Sequence, residues 1–208
     1  MTALTVTQSR AAAVPGLRLA GVLLFLLAAQ FMAVIMLAAS MAPGYDVQGG
    51  AISDLGTIPA TALLFNVSLV AVGVMNLVAG AILYRVSGRT WILAIFAVGS
   101  LGAIGAGLVP LNASDLHGLF ALAAFLAFNL QALAGATLVQ GFMRWISIGA
   151  GLLGLAYVVI MVIGDSGNPA VFGAIGHGGA ERMIVYPAML WLMGFGGYLM
   201  GASEGEPA

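Results

Sequence analysis

The stretch LRLAGVLLFLLAAQFMAVIMLAAS, residues 17–40, carries one charge, Arg18, at its edge and only Gln30 and Ser40 as other polar side chains. A helix needs about 20 predominantly apolar residues to cross the hydrocarbon core of a bilayer, and this run is long enough. It is preceded by Arg10 and ends in the small residues Ala38, Ala39 and Ser40, the outline of a cleavable leader. Leader cores, however, run only about 7–15 residues, which favours a retained span.

Five more stretches read the same way: residues 60–84, 91–109, 117–139, 145–163 and 180–200. The third and fifth spans are short and glycine-rich. The runs are continuous rather than alternating, which argues against a membrane β-barrel. The expectation is an all-α integral membrane protein, a bundle of six transmembrane helices forming one domain over residues 1–208. Residues 1–15 and 202–208 are expected to be flexible tails. No internal repeat stands out.

Composition agrees. The chain is 62% hydrophobic and 6% charged, with a mean hydropathy of +1.12. Soluble domains carry roughly 25% charged residues, so most of this surface is not built for water. The net charge of −1 offers no field for nucleic acid. All six basic residues are arginine, which removes lysine Schiff-base chemistry and with it retinal binding of the usual kind. The absence of cysteine removes disulfides and thiolate chemistry. The eleven methionines are scattered, as packing residues are, rather than clustered as a copper path. No cofactor is expected.

The arginines set a direction. Arg10, Arg18, Arg85, Arg89 and Arg144 all fall on one side of a six-span chain, and the positive-inside rule makes that side cytoplasmic. Both termini are then cytoplasmic, including the acidic tail Ser203-Glu204-Gly205-Glu206. The composition suggests a bacterial plasma membrane, where the sequons at Asn66 and Asn112 carry no meaning. Trp91 and Trp145 would anchor at the cytoplasmic boundary. Gly99, Gly102, Gly105, Gly107, Gly149, Gly151, Gly154, Gly194 and Gly197 are expected to let helices approach closely.

Of fifteen ionisable side chains, eight fall at the opposite face: Asp46, Asp54, Asp115, His117, Asp165, His177, Glu181 and Arg182. Three pieces carry them. In Ile52-Ser53-Asp54-Leu55-Gly56, Asp54 either caps a helical turn, accepts a proton, or pairs with Arg182. In Ser114-Asp115-Leu116-His117, Ser114 and Asp115 suit a helix N-cap, and Asp115 is placed to orient His117. In His177-Gly178-Gly179-Ala180-Glu181-Arg182, His177 and Glu181 share a face if the helix starts early enough. Arg182 needs a partner or water; it either snorkels or locks the second and sixth helices through Asp54 or Glu181. Deeper polar residues are Gln30, Asn66, Ser68, Asn76, Asn129, Gln131 and Tyr157. Tyr186 lies one turn below Arg182. Asn66 and Asp54 are placed to line one outward-open cavity.

The first of these motifs, with Leu64-Phe65-Asn66-Val67-Ser68-Leu69, Asp115-Leu116-His117 and Gly179-Ala180-Glu181-Arg182, resembles the prokaryotic membrane family catalogued as domain of unknown function 998. The resemblance runs from about Gly16 to Leu199 and implies six helices and no settled activity. Its matching positions are Ser53, Asp54, Asn66, His117, Glu181 and Arg182. A more distant likeness joins the chain to Frag/DRAM/Sfk-type membrane proteins of lipid and membrane biology.

Three functions follow. The first is an outward polar pocket of Ser53, Asp54, Asn66, Asp115, His117, His177, Glu181, Arg182 and Tyr186 that binds a lipid headgroup or small polar ligand, with Arg182 on an anionic group. The second is an intramembrane lipid-active enzyme, in its metal version a hydrolase with His117, His177 and Asp54, or Asp115 in its place, as zinc ligands, and Ser53 or Asp115 in acid–base steps. The third is a structural or partner-binding protein whose polar cluster only staples helices. Membrane lipids are the expected partners, and self-association is open.

Overall fold

The computed structural model describes residues 16–202, so the expectations for Arg10 and for the two tails lie outside the described residues. Six α-helices follow in chain order: α1 Leu17–Met41, α2 Ala62–Ser87, α3 Thr90–Leu108, α4 Leu116–Gly135, α5 Gly141–Asp165 and α6 Gly176–Ala202. Short 3-10 turns at Ile52–Gly56 and Pro169–Ile175 interrupt the two longest connections. No strand occurs among the described residues. At 1.5 Å rise per residue, the 19 residues of α3 reach about 28 Å and the 25 of α1 about 37 Å. All six are long and apolar enough to cross a membrane, with α6 joined to the 3-10 turn before it. The chain is a multi-pass membrane protein.

The helices form a closed ring. Each packs on its chain neighbours, α6 returns to α1, and α6 also touches α4. The exterior is apolar: Leu63, Leu101, Leu119 and Phe142 each stand more than 60% exposed, a surface suited to lipid tails. The core holds Leu24, Leu27, Phe31, Phe65, Phe96, Trp191 and Phe195, all nearly or fully buried.

Close backbone approach seals the ring at α1–α6. A methyl added at Gly21 would stand 2.6 Å from the Gly196 carbonyl oxygen, and one at Gly196 the same distance from that of Gly21. Among the glycines expected to pack, Gly99, Gly102, Gly105, Gly107, Gly151 and Gly154 meet a neighbouring helix. Gly149, Gly194 and Gly197 do not; nothing lies within 4 Å of a methyl placed there. They lie away from helix contacts, and Gly196, between two of them in the chain, makes the contact instead.

Polar staples join neighbouring helices. Ser68 Oγ donates to Gln30 Oε1 at 2.7 Å between α2 and α1. Trp191 Nε1 donates to Ser147 Oγ at 2.8 Å between α6 and α5. Arg89 Nη1 donates to Thr137 Oγ1 at 2.7 Å, tying the α2–α3 turn to the end of α4. The bundle therefore has an arginine-bearing end, with Arg18, Arg85, Arg89 and Arg144, and an opposite end where residues 42–61, 109–115 and 166–175 gather.

Candidate functional site

Arg182 organises the second end. It is 8% exposed, and no ion pair joins it to Asp54 or Glu181. Its guanidinium is directed at the loop after α1. Nη1 donates to the carbonyls of Val47 at 2.9 Å, Gly50 at 3.3 Å and Gly178 at 2.8 Å, and Nη2 donates to the Tyr45 hydroxyl at 2.7 Å. The guanidinium also lies 5.8 Å from the Tyr45 ring centre. Burial pushes the Tyr45 hydroxyl above its ordinary range, and the neighbouring Arg182 pulls the other way. The hydroxyl stays protonated and donates to the Ala51 carbonyl at 2.8 Å. Gly178 makes this approach possible: a methyl there would collide with the Gly50 carbonyl and stand 2.6 Å from that of Val47. Gly178 N–H in turn donates to Gln48 O at 2.9 Å.

Glu181, one residue earlier on α6, faces the other way. It is 4% exposed. Its Oε2 accepts the Ile52 N–H at 2.5 Å and its Oε1 accepts the Ser53 hydroxyl at 3.3 Å. The 3-10 turn at Ile52–Gly56 is itself held by Asp54, whose Oδ2 accepts the Ala51 N–H at 2.8 Å. Asp54 thus takes the capping role of its three alternatives. Asn66 Nδ2 donates to the Gly56 carbonyl at 3.0 Å and fixes the end of that turn on α2. Ser53, Asp54, Asn66, Glu181 and Arg182 are therefore brought together around one loop.

The remaining candidates stand apart. His117 is buried, but its Nδ1 sits 2.7 Å from the Val109 carbonyl, so it closes the α3–α4 turn rather than meeting Asp115. Asp115 is exposed and its side chain caps nothing. His177 lies on α6 at i−4 from Glu181, since the helix starts at Gly176. Its Nε2 nevertheless pairs with Asp165 at 3.2 Å, and its ring meets the Phe172 ring edge-on at 5.2 Å. Tyr186 packs against the core. No group of three metal-ligating side chains forms among the described residues, so His117, His177 and Asp54 are not assembled as a zinc site.

Below Glu181 lies a cavity of about 60 Å³ between α1, α2, α3, α4 and α6. Its wall is largely apolar, including Phe31, Phe65, Val72, Ala103, Phe128 and Met189. Its polar lining residues are Ser53, Glu181 and Asn129. Asn129 Nδ2 donates to the carbonyls of Phe125 at 2.8 Å and Ile184 at 3.1 Å, linking α4 to α6. This is not the broadly polar pocket expected from the charge pattern. Of the nine candidate residues, two, Ser53 and Glu181, line it. Tyr45, absent from those candidates, completes the Arg182 cluster. Its only advance signal is an aromatic residue in an otherwise small and polar loop.

A family model described as "Protein of unknown function (DUF998)" matches residues 19–198. No curated protein and no solved structure matches the chain, and nothing among the matches supports the likeness to Frag/DRAM/Sfk-type proteins.

Proposed function

We propose, from the premise that the chain belongs to the DUF998 family of proteins of unknown function, that it holds an amphipathic molecule in the cavity beneath Glu181. The hydrocarbon part lies against the phenylalanines and alanines. A hydrogen-bond-donating head, a hydroxyl or an amine, meets Glu181 and Ser53. One observation carries this reading: an apolar cavity of about 60 Å³ with a carboxylate and a hydroxyl in its wall. A largely apolar concavity with a few convergent polar groups is the usual form of a small-molecule site.

The head chemistry follows from where the two charges point. Arg182 Nη1 already faces three carbonyls, so it offers little to an anionic headgroup. Glu181 faces the cavity without a cationic partner and selects donors. Arg182, Asp54 and Asn66 are staples in this reading, which absorbs the structural role weighed for them. The positive-inside rule assigns the arginine-bearing end to the cytoplasm of a bacterial cell and the cavity to the outward half of the plasma membrane.

The test is thermal unfolding of the purified full chain in detergent with a monoacylglycerol, a long-chain amine and a long-chain fatty acid. Saturation at about 100 times Kd stabilises by about 2.7 kcal/mol, a rise of roughly 5–10 °C for a chain this long. The alcohol- or amine-headed amphiphile should give that rise, and Glu181→Gln should remove most of the amine response. A flat response to all three, or an unchanged amine response in Glu181→Gln, sinks the reading.

A further inference from the structure

One helical turn beyond the cavity floor, three helices carry polar side chains into the bundle interior. Val72, Ala103 and Phe128 line the cavity. Asn76 follows Val72 by one turn on α2, Ser100 precedes Ala103 by one turn on α3, and Gln131 follows Phe128 by one turn on α4. All three polar residues are 0% exposed.

The hydrogen bonds fix which atoms are left over. Asn76 Nδ2 donates to the Phe96 carbonyl at 3.1 Å and to Ser100 Oγ at 3.0 Å, while Ser100 Oγ donates to the same carbonyl at 2.8 Å. Turning the Asn76 amide over would set its oxygen against that carbonyl, so Oδ1 is the atom that points elsewhere. Asn76 Oδ1 has no protein partner, and neither do Gln131 Oε1 and Nε2. Both amides lie beside Gly99: a methyl there would stand 2.7 Å from Gln131 Nε2 and 3.6 Å from Asn76 Nδ2. An orphaned buried polar atom is costly, and a bilayer offers no solvent to relieve it. Three such atoms at mid-bundle call for a ligand.

We infer that Asn76 and Gln131 form an internal hydration site under the cavity floor, with Ser100 fixing which way the Asn76 amide faces. The leftover set is two acceptors and one donor group. Water donates twice and accepts, and so satisfies all three. Turning the Gln131 amide over leaves the same set. A cation does not fit, because Gln131 would present an N–H group to it and no carboxylate is near. The water bridges α2 to α4 past the Gly99 backbone, where the protein makes no direct bond between those two side chains. These residues lie outside the cavity wall, so the inference stands apart from the ligand reading.

Water-edited ¹⁵N solid-state NMR on the full chain in lipid bilayers tests it. The side-chain amides of Asn76 and Gln131 should receive polarisation from water at mixing times too short to reach the buried Trp191 indole N–H. In Gln131→Leu the water keeps Asn76 Oδ1 alone, fewer than the two partners a buried water needs. The Asn76 water peak should then be lost while its amide signal persists. Absence of water transfer to both amides in the unaltered protein would overturn the inference and indicate direct amide contact. A persisting Asn76 water peak in Gln131→Leu would remove Gln131 from the site and overturn it equally. The first measurement requires no variant, so a folding failure of Gln131→Leu does not shelter the inference.

Discussion

Replacing Arg182 by Met keeps most of the aliphatic packing and removes the charge and its donors. Four hydrogen bonds go with them. Bonds to a charged group contribute about 1.5–3 kcal/mol each when buried. The Val47 bond ends on an exposed residue and the Gly50 bond is long at 3.3 Å, so neither deserves full weight. The Gly178 and Tyr45 bonds, at 2.8 and 2.7 Å, carry most of the effect. The expected loss is about 4 kcal/mol, in the range for breaking a buried polar network. For a chain of this length that is a fall in Tm of roughly 8–16 °C. Arg182→Lys should lose about half as much, because one ammonium reaches the carbonyls but not also the Tyr45 hydroxyl. The assay is thermal unfolding in detergent followed by tryptophan fluorescence, with limited proteolysis of residues 42–51 as a local readout. A Met variant within about 0.5 kcal/mol of the parent would refute the reasoning. So would a Lys variant as unstable as the Met variant.

Gly21→Ala should cost about 1–3 kcal/mol through overpacking against the Gly196 carbonyl, whereas Gly197→Ala, with open space around it, should be neutral or slightly stabilising; paired melting curves check the contrast. The chain has no native cysteine, so single cysteines report cleanly on sidedness. Asn112→Cys should react with a membrane-impermeant maleimide on intact cells and Gln140→Cys only after permeabilisation, the reverse pattern overturning the orientation given to the bundle.

The six spans were legible because a bilayer leaves a coarse mark: long apolar runs with charges only at their ends. The edges were less so. Residues 141–144 belong to α5 although Arg144 resembles loop punctuation, and α6 starts at Gly176, before the two glycines that look like a break. Position 178 is a glycine because loop carbonyls crowd it, a tertiary cause invisible to local pattern. The polar end was legible as a set of charges but not as an arrangement. Arg182 bonds to backbone carbonyls, which every residue owns and no side chain advertises. His117 likewise takes a carbonyl rather than its sequence neighbour Asp115. The cavity was hidden for a related reason. Its walls are mostly ordinary apolar helix residues, and nothing in their spacing tells a gap from a contact.

The α1–α6 closure bears on how the bundle is made. The ribosome delivers α1 first and α6 after all five others, so the face of α1 around Gly21 waits through most of synthesis for its mate. Until then the carbonyls of residues 47 and 50 also lack the guanidinium that later gathers them. Assembly therefore ends on the contact of greatest chain separation, the slow class of contact in folding generally. A chain stalled before α6 would leave the close-packing face of α1 around Gly21 open in the bilayer, the kind of surface that membrane quality control and stray helices both recognise.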